Sequence, residues 1–448
     1  MRTPICDFVE KYIREDNLRL HMPGHKGISF LGIENRDITE VDGADVLYSA
    51  NGIIAESEKN ASELFGSAKT VYSTEGSSLC IRAMVYLASI YAKKQGRKPL
   101  ILAARNAHKS FISALALVDA DVEWLYPEEG ESIISCRVSA DQVEKRLKET
   151  AELPIAVYLT CPDYLGVVSD IKGISEVCKK YGVLLMVDNA HGAYLRFLPE
   201  SRHPTHLGAD ICCDSAHKTL PVLTGGAYLH LSKNAPREMS DMAEQAMSLF
   251  ASTSPSYLIL QSLDILNKYL AEGYRDRLAA TAKRVSELKA TLSENGFSLI
   301  GDEEMKICIE AKKYGYFGYE VAEYLGKSNI VCEFYDKDYA VMMFTPEIGD
   351  DDIKRLEAAL VSLPRKEQIS EKPPVVGKPE RAMSVREAIM SPSIEVDVQD
   401  ARDRVLATAN VSCPPAIPIV VCGERIDENA IELLRYYGID KCRVVDQI

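Results

Sequence analysis

Apolar runs rich in Val, Ile and Leu recur at residues 100–103, 122–126, 155–159, 183–187 and 209–213, and they constrain the fold more than any other feature of this chain. Between them lie segments whose apolar residues keep helical spacing, as at 140–148 and 174–181. A strand that is apolar at every position must be covered on both faces, and strand–helix alternation of this kind gives a parallel or mostly parallel sheet between helical layers. Ligands of such sheets bind beyond the carboxyl ends of the strands. Function is therefore to be sought in the residues that follow each run.

The pattern divides the chain into an amino-terminal segment (1–45), a large domain (46–260), a connecting helix with a small α+β domain (261–365), a linker (366–379) and a carboxyl-terminal domain (380–448). The connecting helical stretch runs to about residue 294 and is expected to bend near Gly273. Short strands are expected at 306–309, 330–334 and 340–344, with a helix at 351–363. The linker is rich in Pro, Lys and Glu. The last part carries an apolar strand at 419–422 and a closing helix from Asp427.

The net charge of −14 argues against a nucleic-acid or anionic-membrane surface and is compatible with a cationic substrate. The amino terminus has no apolar signal core and no run reaches the length of a membrane span, so a cytoplasmic protein is expected. Twelve cysteines spread through apolar segments without a CxxC read as reduced thiols, and no metal is expected.

Past the run at 209–213 comes Ser215-Ala216-His217-Lys218-Thr219, then a Thr-Gly-Gly loop. A lysine between hydroxyls and a histidine, at a strand end, is where a pyridoxal 5'-phosphate Schiff base is made. Alone, it is equally a solvated turn lysine. Other segments change the balance, because this cofactor needs an amine, a carboxylate for its pyridine nitrogen, a phosphate anchor and a flat group over its ring. Asp188 ends the run at 183–187, thirty residues before Lys218. His108 can lie on a ring face, and His191 can contact substrate. Gly76 permits a sharp turn into a helix whose Ser77 and Ser78 can hold a phosphate, although on that segment alone Ser77 reads as a helix cap.

Five stretches carry a resemblance: residues 20–27 (Leu20 to Gly27, with His21-Met22-Pro23-Gly24-His25), 105–110 around His108, 187–193 around Asp188, 215–221 around Lys218, and 252–257. In order and spacing the chain is similar to the bacterial ornithine/lysine/arginine decarboxylase family of fold-type-I pyridoxal-phosphate enzymes, in its short form without an amino-terminal receiver-like domain. The resemblance spans residues 20 to about 425. It implies a large domain on a mostly parallel seven-stranded sheet, Lys218 as the Schiff-base lysine, Asp188 as the pyridine-nitrogen partner and His108 as the stacking group. It further implies that Gly76, Ser77, Ser78, Ser215 and His217 surround the phosphate. Thr253 and Ser254 would reach the phosphate of a neighbouring subunit, making the active form a homodimer.

The implied reaction is loss of CO2 from a basic amino acid, with His217, Lys218 or a nearby acid returning a proton to Cα. Asp163, Glu333 and Glu424 are the candidates for the distal cationic group, and spacing does not choose among them. The chain departs from the family pattern at Glu75, at Asn189, where a Glu is usual, and at Cys413-Pro414-Pro415-Ala416, where an aromatic and a glycine are usual. Transamination or other α-carbon chemistry, and a catalytically silent regulatory homologue, are the alternative readings.

Overall fold

The computed structural model describes residues 1–127, 132–409, 412–413 and 417–446. Its main sheet has seven strands: β1 (Lys69–Ser73), β2 (Leu100–Ala104), β3 (Asp121–Leu125), β4 (Ala156–Thr160), β5 (Leu184–Asp188), β6 (Ile211–Asp214) and β7 (Ala227–Leu231). Their order across the sheet is β1-β7-β6-β5-β4-β2-β3. Only β7 opposes its neighbours, pairing antiparallel with β1 and β6; the remaining pairs are parallel. The expected mostly parallel sheet is present, and the apolar runs fall on its strands.

Helices cover both faces: α1 (Pro4–Arg14), α2 (Ile53–Phe65), α3 (Ser77–Lys94), α4 (Lys109–Val118), α5 (Ala140–Glu149) and α6 (Ile171–Tyr181). Alternate residues of one strand go to opposite layers. Tyr158 and Met186 pack with Leu79 and Phe111 of α3 and α4, whereas Val157, Leu159, Leu185 and Val187 pack with Val143 and Ile174 of α5 and α6. Burial on both sides is why these strands lack polar alternation. Helix starts are set locally: Ser139 and Gln142 form a reciprocal cap on α5, and Gly76, at φ 74°, swings the chain from β1 into α3.

The expected long helix is two helices, Tyr257–Ala271 and Tyr274–Glu294, separated where Gly273 turns left-handed at φ 73°. A second, antiparallel sheet follows, ordered β10-β11-β9-β8, from β8 (Leu299–Ile300), β9 (Lys306–Glu310), β10 (Phe334–Tyr335) and β11 (Tyr339–Met343). The strand expected at 330–334 is confined to its end; residues 330–333 run as a loop, with Glu333 N still donating to Val341 O at 3.0 Å.

The strand expected at 419–422 is absent, for a physical reason. Arg105, 1% exposed, spans from the main sheet and donates to Pro418 O at 2.7 Å, Ile419 O at 2.8 Å and Glu424 Oε2 at 3.3 Å. Glu424 Oε2 also accepts from Val421 N at 2.7 Å. With Ile419 O and Val421 N engaged by the pair, residues 419–422 turn instead of extending the two-residue strand Ile417–Pro418. The same pair fastens the carboxyl-terminal region, whose sheet joins Ser393–Asp397 to Lys441–Val445, against the large sheet. Glu424→Ala strands the guanidinium in the interior and should cost about 3–5 kcal/mol, read as a lowered urea midpoint, whereas Glu424→Gln should lose less.

Candidate active site

A cavity of about 200 Å³ lies at the carboxyl edge of the main sheet. Ser77, Asn106, His108, Thr160, Tyr164, Asp188, His191, Lys218, Glu333 and Ile417 line it, contributed by the ends of β4 and β5, the segments that follow β1, β2, β4, β5 and β6, the loop before Phe334–Tyr335 and the carboxyl-terminal region. A wider groove of about 520 Å³ runs between β11 and the helix Asp350–Val361, but neither lysine nor histidine lines it. His108, Asp188, His191 and Lys218 gather on the smaller cavity, and Glu333 stands on the wall of both.

Lys218 follows β6 on a single helical turn, Ala216–Thr219. Its amine sits 3.1 Å from His191 Nε2. Burial lowers the Lys218 pKa, with the Asp188 carboxylate opposing that shift. A lysine held this way has a larger share of neutral, nucleophilic amine than one in water. Burial, and then the charge of Lys218, pushes His191 well below the usual imidazole range, so this histidine stays neutral.

Asp188 terminates β5 and is 2% exposed. Its Oδ1 accepts from Ala190 N at 3.1 Å and from Cys213 Sγ at 3.6 Å, and its Oδ2 from Tyr158 OH at 3.4 Å. Burial raises its pKa, and the Lys218 charge counters this. A carboxylate of raised basicity is suited to share a proton with a ring nitrogen.

His108 caps α4: Ser110 N donates to its Nδ1 at 3.1 Å. Accepting at Nδ1 places the ring proton on Nε2 and fixes the plane of the imidazole. Burial first, then Lys218 and Lys109, lowers its pKa to about 4. A neutral flat ring beside Lys218 is what a stacking group requires.

Gly76, Ser77 and Ser78 open α3, a helix of 18 residues whose first turn has no side-chain cap. Nothing lies within 4 Å of where a Cβ on Gly76 would be. Ser215 Oγ donates to Ser77 Oγ at 2.7 Å, and Ser110 Oγ to Ser78 Oγ at 2.8 Å, gathering hydroxyls at a helix amino terminus, where an anion is favoured. His217 flanks this cup but is turned back, its Nδ1 meeting Gly226 O at 3.0 Å; it does not line the cavity with Lys218. Thr253 and Ser254 are exposed, in a loop that reaches Glu75 through Ser252 N at 2.7 Å. An open anion cup, a buried carboxylate and a desolvated amine along one edge fit pyridoxal 5'-phosphate.

The three candidates for a distal cation separate cleanly. Asp163 is spent on its own turn, accepting from Leu165 N, Val167 N and Ser135 Oγ. Glu424 is paired with Arg105. Glu333 faces the cavity, its Oε1 accepting from Tyr164 OH at 2.9 Å. The side chain of Cys413 and residues 414–416 lie outside the described residues. Sequence reasoning gave no role to Asn106, Thr160 or Tyr158; the only available signal was their position at or near strand ends.

Residues 3–306 match the family model described as "Orn/Lys/Arg decarboxylase, major domain", and residues 364–441 match the C-terminal domain of the same family. The chain belongs to the Orn/Lys/Arg decarboxylase family. An arginine decarboxylase of Bacillus subtilis is 28% identical over 465 residues, covering 96% of this chain and 93% of that one. An arginine decarboxylase of Halalkalibacterium halodurans is likewise 28% identical, over 97% of this chain and 93% of its own. Among solved structures, the lysine decarboxylase LdcF of Francisella novicida shares the fold with a TM-score of 0.78 at 18% identity, covering 99% of this chain and 81% of that chain. Lysine decarboxylase A of Pseudomonas aeruginosa gives 0.78 at 19% identity, covering 97% and 75%. Among the described residues, no helix is long and apolar enough to cross a membrane.

In cofactor-free protein, acylation of Lys218 should show a pH midpoint below the ordinary lysine value of about 10.4. Asp188→Asn removes the anion that raises the Lys218 pKa, so the midpoint should move lower still; an upward move contradicts the electrostatic assignment. Peptide mass analysis of labelled protein across pH measures it.

Proposed function

We propose that this chain decarboxylates a basic amino acid, arginine, lysine or ornithine, to the corresponding amine and CO2. The observation that carries this reading is that the Glu333 carboxylate lines the same cavity as Lys218 and Asp188. An anion opposite the reacting end suits a substrate with a distal cation. The near full-length relatives named as arginine decarboxylases put arginine first among the candidates.

When bound, pyridoxal 5'-phosphate supplies an electron sink for the pair left at Cα as CO2 departs. The chain's own residues do the rest. Lys218 would hold the cofactor through its buried amine. Asp188 shares a proton with the ring nitrogen, and His108 covers one ring face. Gly76, Ser77, Ser78 and Ser215 hold the phosphate, and His217, bonded to Gly226 O through Nδ1, has Nε2 left to join them. His191, 3.1 Å from the Lys218 amine, passes a proton between that amine and Cα; it is better suited to this than His217, which is bonded to Gly226 O.

The active form is a homodimer in this reading, with Thr253 and Ser254 serving the partner's phosphate. Leu18, Leu20, Phe30 and Leu31 support it, being 77–84% exposed in one amino-terminal stretch, an apolar surface that suits burial against a second copy. The buried thiols Cys80, Cys212 and Cys213 suit a reducing cytoplasm. Of the division at residues 45, 260, 365 and 379, the break near 365 has the support of the two family matches, which cover 3–306 and 364–441.

The purified protein, given arginine, lysine and ornithine in turn, should release CO2 and the matching amine from at least one of them. Keto-acid formation without amine would sink the proposal in favour of transamination. Lys218→Ala should lose activity by on the order of 10³-fold and lose the visible band of bound cofactor. Glu333→Gln should raise KM for the preferred amino acid about tenfold or more, with the cofactor band intact.

A further inference from the structure

Asn106 is 1% exposed and lines the cavity, yet neither its Nδ2 nor its Oδ1 has a hydrogen-bond partner. The Thr160 hydroxyl, on the same wall, is also buried and unpartnered. A buried polar group left unpaired is destabilising, and two of them facing one cavity mark a place where a bound group can complete them.

Position in the sheet says which ligand group that is. The phosphate cup lies where β1 and β6 end, and Asp188 ends β5. Thr160 ends β4, on the side of Asp188 away from β6 and Ser215, and Asn106 follows β2, four residues before Ser110 reaches the cup at Ser78. Glu333 answers a cation, and Asp188 answers a protonated nitrogen. What a basic amino acid still presents is its α-carboxylate, and what the cavity still offers is an amide and a hydroxyl able to donate.

We propose that Asn106, assisted by Thr160, binds the carboxylate that the substrate loses. This rests on the decarboxylase reading above. Neutral donors are apt here, since they orient the carboxylate without the full countercharge that would stabilise it against leaving. The nearest guanidinium in sequence, Arg105, is held away by Pro418 O, Ile419 O and Glu424. Among the described residues lining the cavity there is no arginine.

The test compares the preferred amino acid with its own decarboxylated amine, which lacks only the carboxylate, in wild-type, Asn106→Ala, Asn106→Asp and Thr160→Val holoenzyme. The Asn106→Ala variant should lose about ten- to hundredfold in kcat/KM for the amino acid. The Asn106→Asp variant should lose more, since like charges meet. The inhibition constant of the amine, the cofactor affinity and the visible absorbance of bound cofactor should all stay within about threefold or unshifted. Equal weakening of amino acid and amine would overturn the proposal, as would an unchanged kcat/KM. A drop in cofactor affinity would show that the amide serves an oxygen of the cofactor instead, and this also overturns it. If Asn106→Ala fails to fold, judged by its melting temperature, Thr160→Val and Asn106→Asp carry the comparison. A wild-type enzyme that decarboxylates none of the basic amino acids sinks the functional reading; Asn106 is then judged by spectral titration of amino acid against amine, where equal response of both in wild type and variants overturns it.

Discussion

The structure turns on a primary amine kept out of water beside a buried carboxylate. Burial drives the Lys218 amine towards its neutral, reactive form, while Asp188 pulls it back. Neither group is placed by its own loop alone. β5 and β6 are parallel with Asp188 in register with Cys213, so the end of one strand fixes the carboxylate and the end of the next fixes the chain leading to the lysine. Everything else at the edge is arranged around that pair: His108 locked as a helix cap, and serines collected at the start of α3.

Beneath the pair lies a second polar layer. Asn189 Nδ2 donates to Asp214 Oδ1 at 2.7 Å, and His203 Nε2 and His230 Nε2 approach Asp214 Oδ2 at 3.0 and 3.3 Å. Although burial opposes ionisation, the two histidines hold the Asp214 carboxyl well below the usual range. A glutamate in place of Asn189 would set two carboxylates against each other, whereas the amide donates. His203, Asp214 and His230 are also a buried group with the donor types of a metal site. No sequence spacing announced it, because β7 brings His230 next to β6 only through sheet pairing. Thr205 and Thr70 engage the Nδ1 atoms of His203 and His230, so the cluster stands as a hydrogen-bonded support for the loop that bears Asp188.

Much of this was legible in the chain itself. Apolar runs marked the strands because a strand covered on both faces must be apolar throughout, and Asp188, His108 and Lys218 could be placed at a sheet edge because each follows such a run. Reading failed where long-range partners took over. The 419–422 run is apolar enough for a strand, but Arg105 and Glu424 occupy its backbone. Asp163 and Glu424 look as available as Glu333 in sequence, since nothing local reveals that one is tied to its own turn and another to an arginine more than three hundred residues earlier.

By itself, then, the sequence determined the sheet architecture, the family and a lysine at the carboxyl edge of the sheet, since these follow from short-range pattern and ordered motifs. Tertiary structure alone decided which acid faces the cavity, which histidine stands beside the amine, and which buried amide and hydroxyl are left without partners. The reason is physical: whether a polar group is free to act depends on which groups satisfy it. In this chain those groups come from separate strands and from the carboxyl-terminal region, brought together only when the sheet forms.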